Sequence, residues 1–165
     1  MTPEELVERL GSRFDEVSVA HGEVTAVTTR EKIVEVLSSL KTEPGLAFDF
    51  LADISGTDWP DRELRFWVAY HLYSMDEKHR LRVKVGVTEN GAHIPTVTGL
   101  FPGANFLERE VFDMLGVEFD GHPDLRRILL PEDWEGHPHR KDEELGGVKT
   151  QFKGAFIPPV DQRLH

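Results

Sequence analysis

Glu108, Arg109, Glu110 and Asp113 bring three carboxylates and a guanidinium together within two helical turns. Glu110 and Asp113 stand three apart on one helical face, a spacing that could serve acid–base or metal chemistry. The same spacing makes Arg109 and Asp113 i,i+4 neighbours, a pair worth only about 0.2–0.5 kcal/mol. Acids in the first turns of a helix also complement its dipole, so the expected role of the four is a charged network rather than catalysis. His122, His137 and His139, with Asp124 or Glu135, offer the nitrogen and oxygen donors that divalent metals take. Yet His122 and His137 each stand between Gly and Pro, where a ring nitrogen can satisfy backbone groups and hold a turn, and no spacing follows a standard zinc pattern. Two basic pairs, Arg126-Arg127 and Arg140-Lys141, follow these turns, and guanidinium forks there would pair with carboxylates of a partner. Trp59, Trp67 and Trp134 read first as core, and Trp134, between Asp133 and Glu135, also as an interface anchor.

Composition removes several classes of function. The 165 residues include no cysteine, which excludes disulfides, a thiolate nucleophile, a cysteine-ligated iron–sulfur cluster and a Cys-type zinc site in this chain. A formal net charge of -11 repels nucleic-acid phosphate and anionic headgroups. No run approaches the roughly 18 apolar residues of a membrane span, and the Thr-Pro-Glu-Glu start has no basic or apolar leader, so a cytosolic location is expected. There is no G-x-G-x-x-G, Walker loop or G-x-S-x-G to supply chemistry of its own.

The elements that must position these residues follow from periodicity. Thr2, Pro3 and Glu5 form a capping-box start for a short helix with Leu6, Val7 and Leu10 on one side, ending at Gly11. Val17–Ala20 and Glu23–Thr28 predict a two-strand ribbon turning at His21-Gly22, and Arg30–Lys41 a helix ended by Pro44-Gly45. Three strands are expected next: Ala47–Ile54 with Phe48, Phe50, Ala52 and Ile54 on one face, Leu64–Ser74, and Arg80–Thr88. The row Arg80, Arg82, Lys84 on the last of these is either the wet face of a sheet or a docking patch. Asn105 is expected to cap a third helix, with Glu108 at the capping-box position and Gly116 as its stop. The order αββαβββ followed by that helix predicts an α+β two-layer sandwich with a mostly antiparallel mixed sheet over residues 1–124. From 125 to 165, the spacing of Pro131, Pro138, Gly146-Gly147, Gly154 and Pro158-Pro159 forbids long elements and predicts an extended arm that cannot bury itself, and so lies on a partner or is disordered.

The segment from Glu108 to Asp142 closely resembles the signature of the C-subunit family of proton-pumping NADH-quinone oxidoreductase, respiratory complex I. It is carried by Glu108-Arg109-Glu110, Asp113, Gly116-Val117, Phe119, Gly121 to Leu130, Pro131 to Trp134, Gly136-His137-Pro138 and Arg140-Lys141-Asp142. Phe48 to Trp59 and Ile94 to Glu110 fit similar family phrases, whereas His139 and Glu143 depart from it. The resemblance implies a non-catalytic peripheral-arm subunit on the cytoplasmic side of the membrane. It would brace the quinone module against the large quinone-site subunit, known as the D subunit, and cluster-bearing neighbours. FMN and iron–sulfur centres would sit in those partners and no cofactor in this chain. Glu108, Arg109, Glu110, Asp113, His122, Asp124, Arg126, Arg127, Trp134, His137, Arg140, Lys141 and Asp142 would form the partner interface. The same signature serves the equivalent subunits of membrane-bound hydrogenases and of ferredoxin-, F420- or plastoquinone-linked relatives. A free-standing metal-dependent hydrolase using the carboxylate and histidine set is the alternative from a different class.

Overall fold

The computed structural model describes residues 1–143, so the part of the arm beyond Glu143 lies outside the described residues. Helix α1 (Pro3–Leu10) opens with the expected capping box, Thr2 and Glu5 bonding each other's backbone, and turns Leu6 and Leu10 inward. Strands β1 (Glu16–Ala20) and β2 (Glu23–Thr28) form the ribbon, with His21 and Gly22 at positive φ in the turn. Helix α2 covers Ile33–Thr42 and starts later than its periodicity suggests, because Thr29 to Lys32 is spent on a turn closed by the Lys32 N–H on the Thr29 carbonyl.

Strands β3 (Phe50–Asp58), β4 (Phe66–Tyr73) and β5 (Arg80–Val87) complete a sheet of order β1-β2-β5-β4-β3. Only the β2–β5 pair is parallel, so the sheet is mixed and mostly antiparallel, as expected. Phe66, Val68, Tyr70 and Leu72 of β4 and Leu81, Val83, Val85 and Val87 of β5 are all buried on one face, and the helices pack on that face.

The expected register of β3 is wrong. Ala47 adopts a positive φ, which breaks the strand there, and a bulge between Leu51 and Asp53 shifts the phase of the residues beyond it. Phe48 therefore reaches the core from a turn and stacks on His79, Ile54 is buried, and Phe50 and Ala52 face out. Trp59 is 45% exposed, not core, with Arg62 lying over its ring. A two-stranded parallel pair, β6 (His93–Pro95) and β7 (Glu118–Asp120), was not legible because three residues carry too little pattern. It brackets helix α3 (Ala104–Leu115), whose Val111 and Leu115 pack on β3 at Gly56.

Helix and sheet approach closely at Gly56: a Cβ there would collide with Leu115 Cδ1 and stand 3.2 Å from Val111 Cγ1. Gly56→Ala is expected to destabilise the fold by about 1–3 kcal/mol through overpacking. Thermal unfolding checks this, and an unchanged midpoint would show that Leu115 moves aside at no cost.

Candidate functional site

Helix α3 begins at Ala104 after Gly103, with no side-chain cap, so the expected Asn105–Glu108 capping box does not form. Asn105 is already inside the first turn. Glu108 instead turns inward, fully buried, where its carboxylate accepts the Val97 N–H at 2.8 Å and the Thr96 hydroxyl at 2.6 Å. Burial pushes the Glu108 carboxyl above its ordinary value, and these two bonds only partly oppose that. His122, its side chain also fully buried, lies 3.9 Å from Glu108. Its Nδ1 accepts the Asp124 N–H and its Nε2 faces the Asn105 carbonyl, which fixes a neutral tautomer that holds the turn as expected.

Asp113 is the centre of the arrangement. It is fully buried, yet it does not pair with Arg109 as the helical spacing suggested. Oδ1 accepts Arg127 Nη1 at 2.7 Å, and Oδ2 accepts the consecutive backbone N–H groups of Ile128, Leu129 and Leu130 at 3.0, 2.8 and 2.9 Å. Burial alone would raise this carboxyl, but the bonds from Leu130, Arg127, Leu129 and Ile128 together outweigh it and hold the group below the usual range. Arg127 reaches further, donating to the Trp134 and Gly136 carbonyls at 2.9 Å each. Arg109 donates to the carbonyls of Arg126 and Arg127.

The second Gly-His-Pro segment caps the other end of α3. A helix leaves its last carbonyls without intrahelical partners, and the dipole makes that end negative. Here the Asp113 carbonyl accepts His137 Nδ1 at 3.0 Å, the Met114 carbonyl accepts the His139 N–H at 3.0 Å, and the Leu115 carbonyl accepts Arg140 Nε at 2.7 Å. Gly116, at positive φ, ends the helix as expected. The strap then closes on the sheet, where the Lys141 N–H donates to Asp58 at 2.8 Å. Arg65, 7% exposed at its side chain, holds Asp58, Glu89 and Asp142 at 2.7–3.0 Å. The guanidinium groups of Arg65 and Arg140 each lie 5.0 Å from the Phe66 ring.

Residues 125–143 therefore contain no helix or strand, as the arm reading requires, but they are strapped to the chain's own core. The first basic pair is spent internally, Arg127 on Asp113 and Arg126 on Asp124 at 2.7 Å. Of the thirteen residues proposed for a partner contact, Glu108, Asp113 and the His122 ring are buried inside the chain and shape the surface without forming it. Glu110 and the Lys141 side chain are exposed, and Trp134 is half-buried. Asp58 and Arg65 were missed because their partners lie up to 83 residues away and no local pattern marks them.

Beside exposed charged residues such as Arg126, Glu132 and Asp142, the strap turns two large apolar side chains outward, Leu129 at 60% and Ile128 at 37% exposed, and Phe106 of α3 is also 60% exposed. Each of the buried carboxylates already accepts several donors, and among the described residues no three His, Asp or Glu side chains converge as a metal site would require. The arrangement can present a surface.

Among known proteins, the family described as respiratory-chain NADH dehydrogenase, 30 Kd subunit, matches residues 26–149. The NADH-quinone oxidoreductase C subunit of Saccharopolyspora erythraea is 44% identical over 149 residues, covering 90% of this chain and 60% of that protein. The C subunit of the same enzyme from Roseiflexus sp. (strain RS-1) is 50% identical over 131 residues, covering 79% and 75%. The chain thus spans about three-fifths of the length of the first of these relatives. Among solved structures, the trypsin-resistant fragment (1-134) of Nqo5 superposes with a TM-score of 0.66 at 38% identity, over 76% of this chain and all of that one. A chain of the membrane-bound sulfane sulfur reductase, an archaeal respiratory membrane complex, superposes with a TM-score of 0.74 at 28% identity, over 96% of each.

Two titrations separate the buried acids. Asp113→Asn turns an acceptor of four donors into a group that faces some of them with its own N–H, at an expected cost of about 3–5 kcal/mol in denaturant unfolding. A loss below about 1 kcal/mol would show that the strap donors find other partners. Asp113 titrates below its ordinary value of 3.8, so its stabilisation is complete above that pH and is lost as pH falls through the folded-state value. Glu108 has the opposite sign. Its folded value lies above 4.5, so its contribution is most favourable below pH 4.5 and declines as pH rises through the folded-state value. The unfolding free energy of wild type minus that of Glu108→Gln should therefore fall as pH rises from 4.5, and a flat difference would show that Glu108 titrates as it does in water.

Proposed function

Because the chain belongs to the 30 Kd subunit family of respiratory-chain NADH dehydrogenase, we propose that it is a non-catalytic peripheral-arm subunit of a proton-translocating NADH-quinone oxidoreductase. It braces the quinone module while electrons pass from NADH through FMN and iron–sulfur centres, held by other subunits, to quinone. Its partners are the large quinone-site D subunit and the adjacent cluster-bearing subunits, and it sits on the cytoplasmic side of the membrane through them. No helix among the described residues is long and apolar enough to cross a membrane.

The observation that carries this reading is the strap. Residues 121–143 hold most of the charged residues of the signature, and several of them, Arg127, Arg140 and Asp142 foremost, are spent on fixing one backbone path over α3 and the end of the sheet. A path fixed at that cost holds Ile128 and Leu129 outward as a short apolar ridge, with Phe106 exposed on α3, and preorganised apolar side chains of this kind suit docking. The likeness to the archaeal sulfane sulfur reductase complex favours a second reading, the equivalent subunit of a related membrane-bound respiratory complex with another donor or acceptor.

Purification from mildly solubilised membranes, with identification of bound subunits and assay of NADH-dependent quinone reduction, decides between them. Ile128→Asp together with Leu129→Asp is expected to leave melting of the isolated chain within about 0.5 kcal/mol, because both side chains are at the surface. The same variant should lose recovery with the quinone-module subunits. Normal recovery and normal quinone reduction would remove the ridge from the interface.

A further inference from the structure

We propose that the uncovered face of the five-stranded sheet is a second docking surface, fitted to a protein segment bearing two carboxylates and an apolar side chain. The helices and the strap all lie on the other side, since every fully buried sheet residue points that way. On the open side, cross-strand neighbours run in rows: Thr25, Arg82, His71 and Asp53 in one, Val27, Lys84, Ala69 and Ser55 in the next. Arg80, Arg82 and Lys84 form a column down the middle of this face.

The three cations are not equivalent. Arg82 is neutralised by Glu23 at 2.6 Å. Arg80 and Lys84 have no carboxylate within ion-pair distance among the described residues and instead lie over Tyr73 and Trp67, at 5.8 and 5.3 Å from the ring centroids. What marks these two is their placement: each lies over an aromatic ring on the same open face, in a chain whose net charge is -11. Between Arg80 and Lys84 the strand rises about 13 Å over four residues. Next to Arg80 the β3 bulge opens a cavity of about 480 Å³ whose lining includes Phe50, Ala52, His71 and Tyr73, with Phe50 50% exposed. Burial and the nearby Arg82 hold the His71 ring below its ordinary value, so His71 adds no cation to a lining that already carries Arg80 and Arg82 beside Glu23 and Asp53.

This pattern selects the class of occupant. A nucleic-acid or lipid surface presents a dense phosphate array and needs a continuous basic field, which Glu23 and Asp53 interrupt here. Carboxylates spaced like those of an extended protein segment reach Arg80 and Lys84 singly, while a neighbouring apolar side chain enters the Phe50–Tyr73 cavity. The partner is a subunit of the assembly proposed above, so the inference rests on that membership.

The test labels lysines with acetic anhydride in the isolated wild-type chain and in the assembly extracted from membranes, and couples lysines to carboxylates with a carbodiimide. Lys84 should be acetylated in the free chain, at least about tenfold less in the assembly, and joined there to an Asp or Glu of a different subunit. The doubly reversed variant R80E/K84E should melt normally and be recovered with the assembly at least about tenfold less than wild type in moderate salt. Equal Lys84 labelling in an intact assembly overturns this inference alone. A cross-link between two copies of this chain, or Lys84-dependent binding to phosphatidylglycerol vesicles, overturns it in favour of those occupants. Recovery of the wild-type chain from membranes with no partner overturns the membership itself, and this surface with it.

Discussion

Asp113 carries a negative charge out of contact with water, and that is tolerable only because residues 127–130 deliver four donors to its two oxygens. Taking a carboxylate out of water costs several kcal/mol, which charge-assisted bonds recover only when their geometry is good and every lone pair is occupied. The helix must therefore hold Asp113 still, and the strap must curl its backbone so that three consecutive N–H groups point the same way. Neither condition is local. Helix α3 is fixed by the packing of Val111 and Leu115 against Gly56, and the strap is fixed by its own return to the helix end. Without the strap, the Asp113 carboxylate would lose these donors and the last carbonyls of α3 would lose theirs. Without Asp113, the strap has few apolar side chains to hold it down.

The legible and illegible parts of the molecule divide along this line. Strands β4 and β5 alternate cleanly because one face is buried along their whole length, so period two is written directly in Phe66 to Leu72 and Leu81 to Val87. The start of α1 is equally plain, since its cap is made from residues three apart. Periodicity failed at β3, where a positive φ at Ala47 and a bulge beyond Leu51 change the phase twice without changing the residue types. It failed again at the charges of α3. Glu108 and Arg109 are well placed for a capping box and an i,i+4 pair, but tertiary donors and acceptors are stronger claimants than exposed helical neighbours. The first histidine turn was readable because the His122 ring accepts the Asp124 N–H two residues on, whereas the His137 ring bonds the Asp113 carbonyl, which no local pattern announces. The Arg65–Asp58 centre was not, because nothing near Arg65 in sequence announces Asp142 or the Lys141 N–H.

The same division explains how a charged signature comes to hold apolar side chains at its surface. Arg127, His137 and Arg140 are bonded inward, to Asp113 and to the last carbonyls of α3, and the Lys141 N–H to Asp58, while Ile128 and Leu129 stay exposed among Arg126, Glu132 and Asp142. A reading from residue types alone assigns the charges to the partner and the apolar residues to the core. The geometry reverses both assignments at Arg127, Arg140, Ile128 and Leu129: the two guanidinium groups set the path of the strap, and the two apolar side chains remain at its surface.

A bracing element has to transmit position from one neighbour to another, which requires two surfaces on a rigid body. In this fold the strap lies on the helical layer and the Arg80–Lys84 column on the far face of the sheet, so the two are separated by the full two-layer core. Such a core, about 10 Å between layer centres and packed at the density of an organic crystal, has little compliance. Gly56 sets the distance between the layers, because the close contact of Leu115 with the β3 backbone leaves no room for even a methyl group. Asp58 then ties the strap directly to the end of that same strand. Strap, helix and sheet are consequently referenced to β3 at two points, one apolar and one ionic, which leaves the strap little freedom to slide against the sheet.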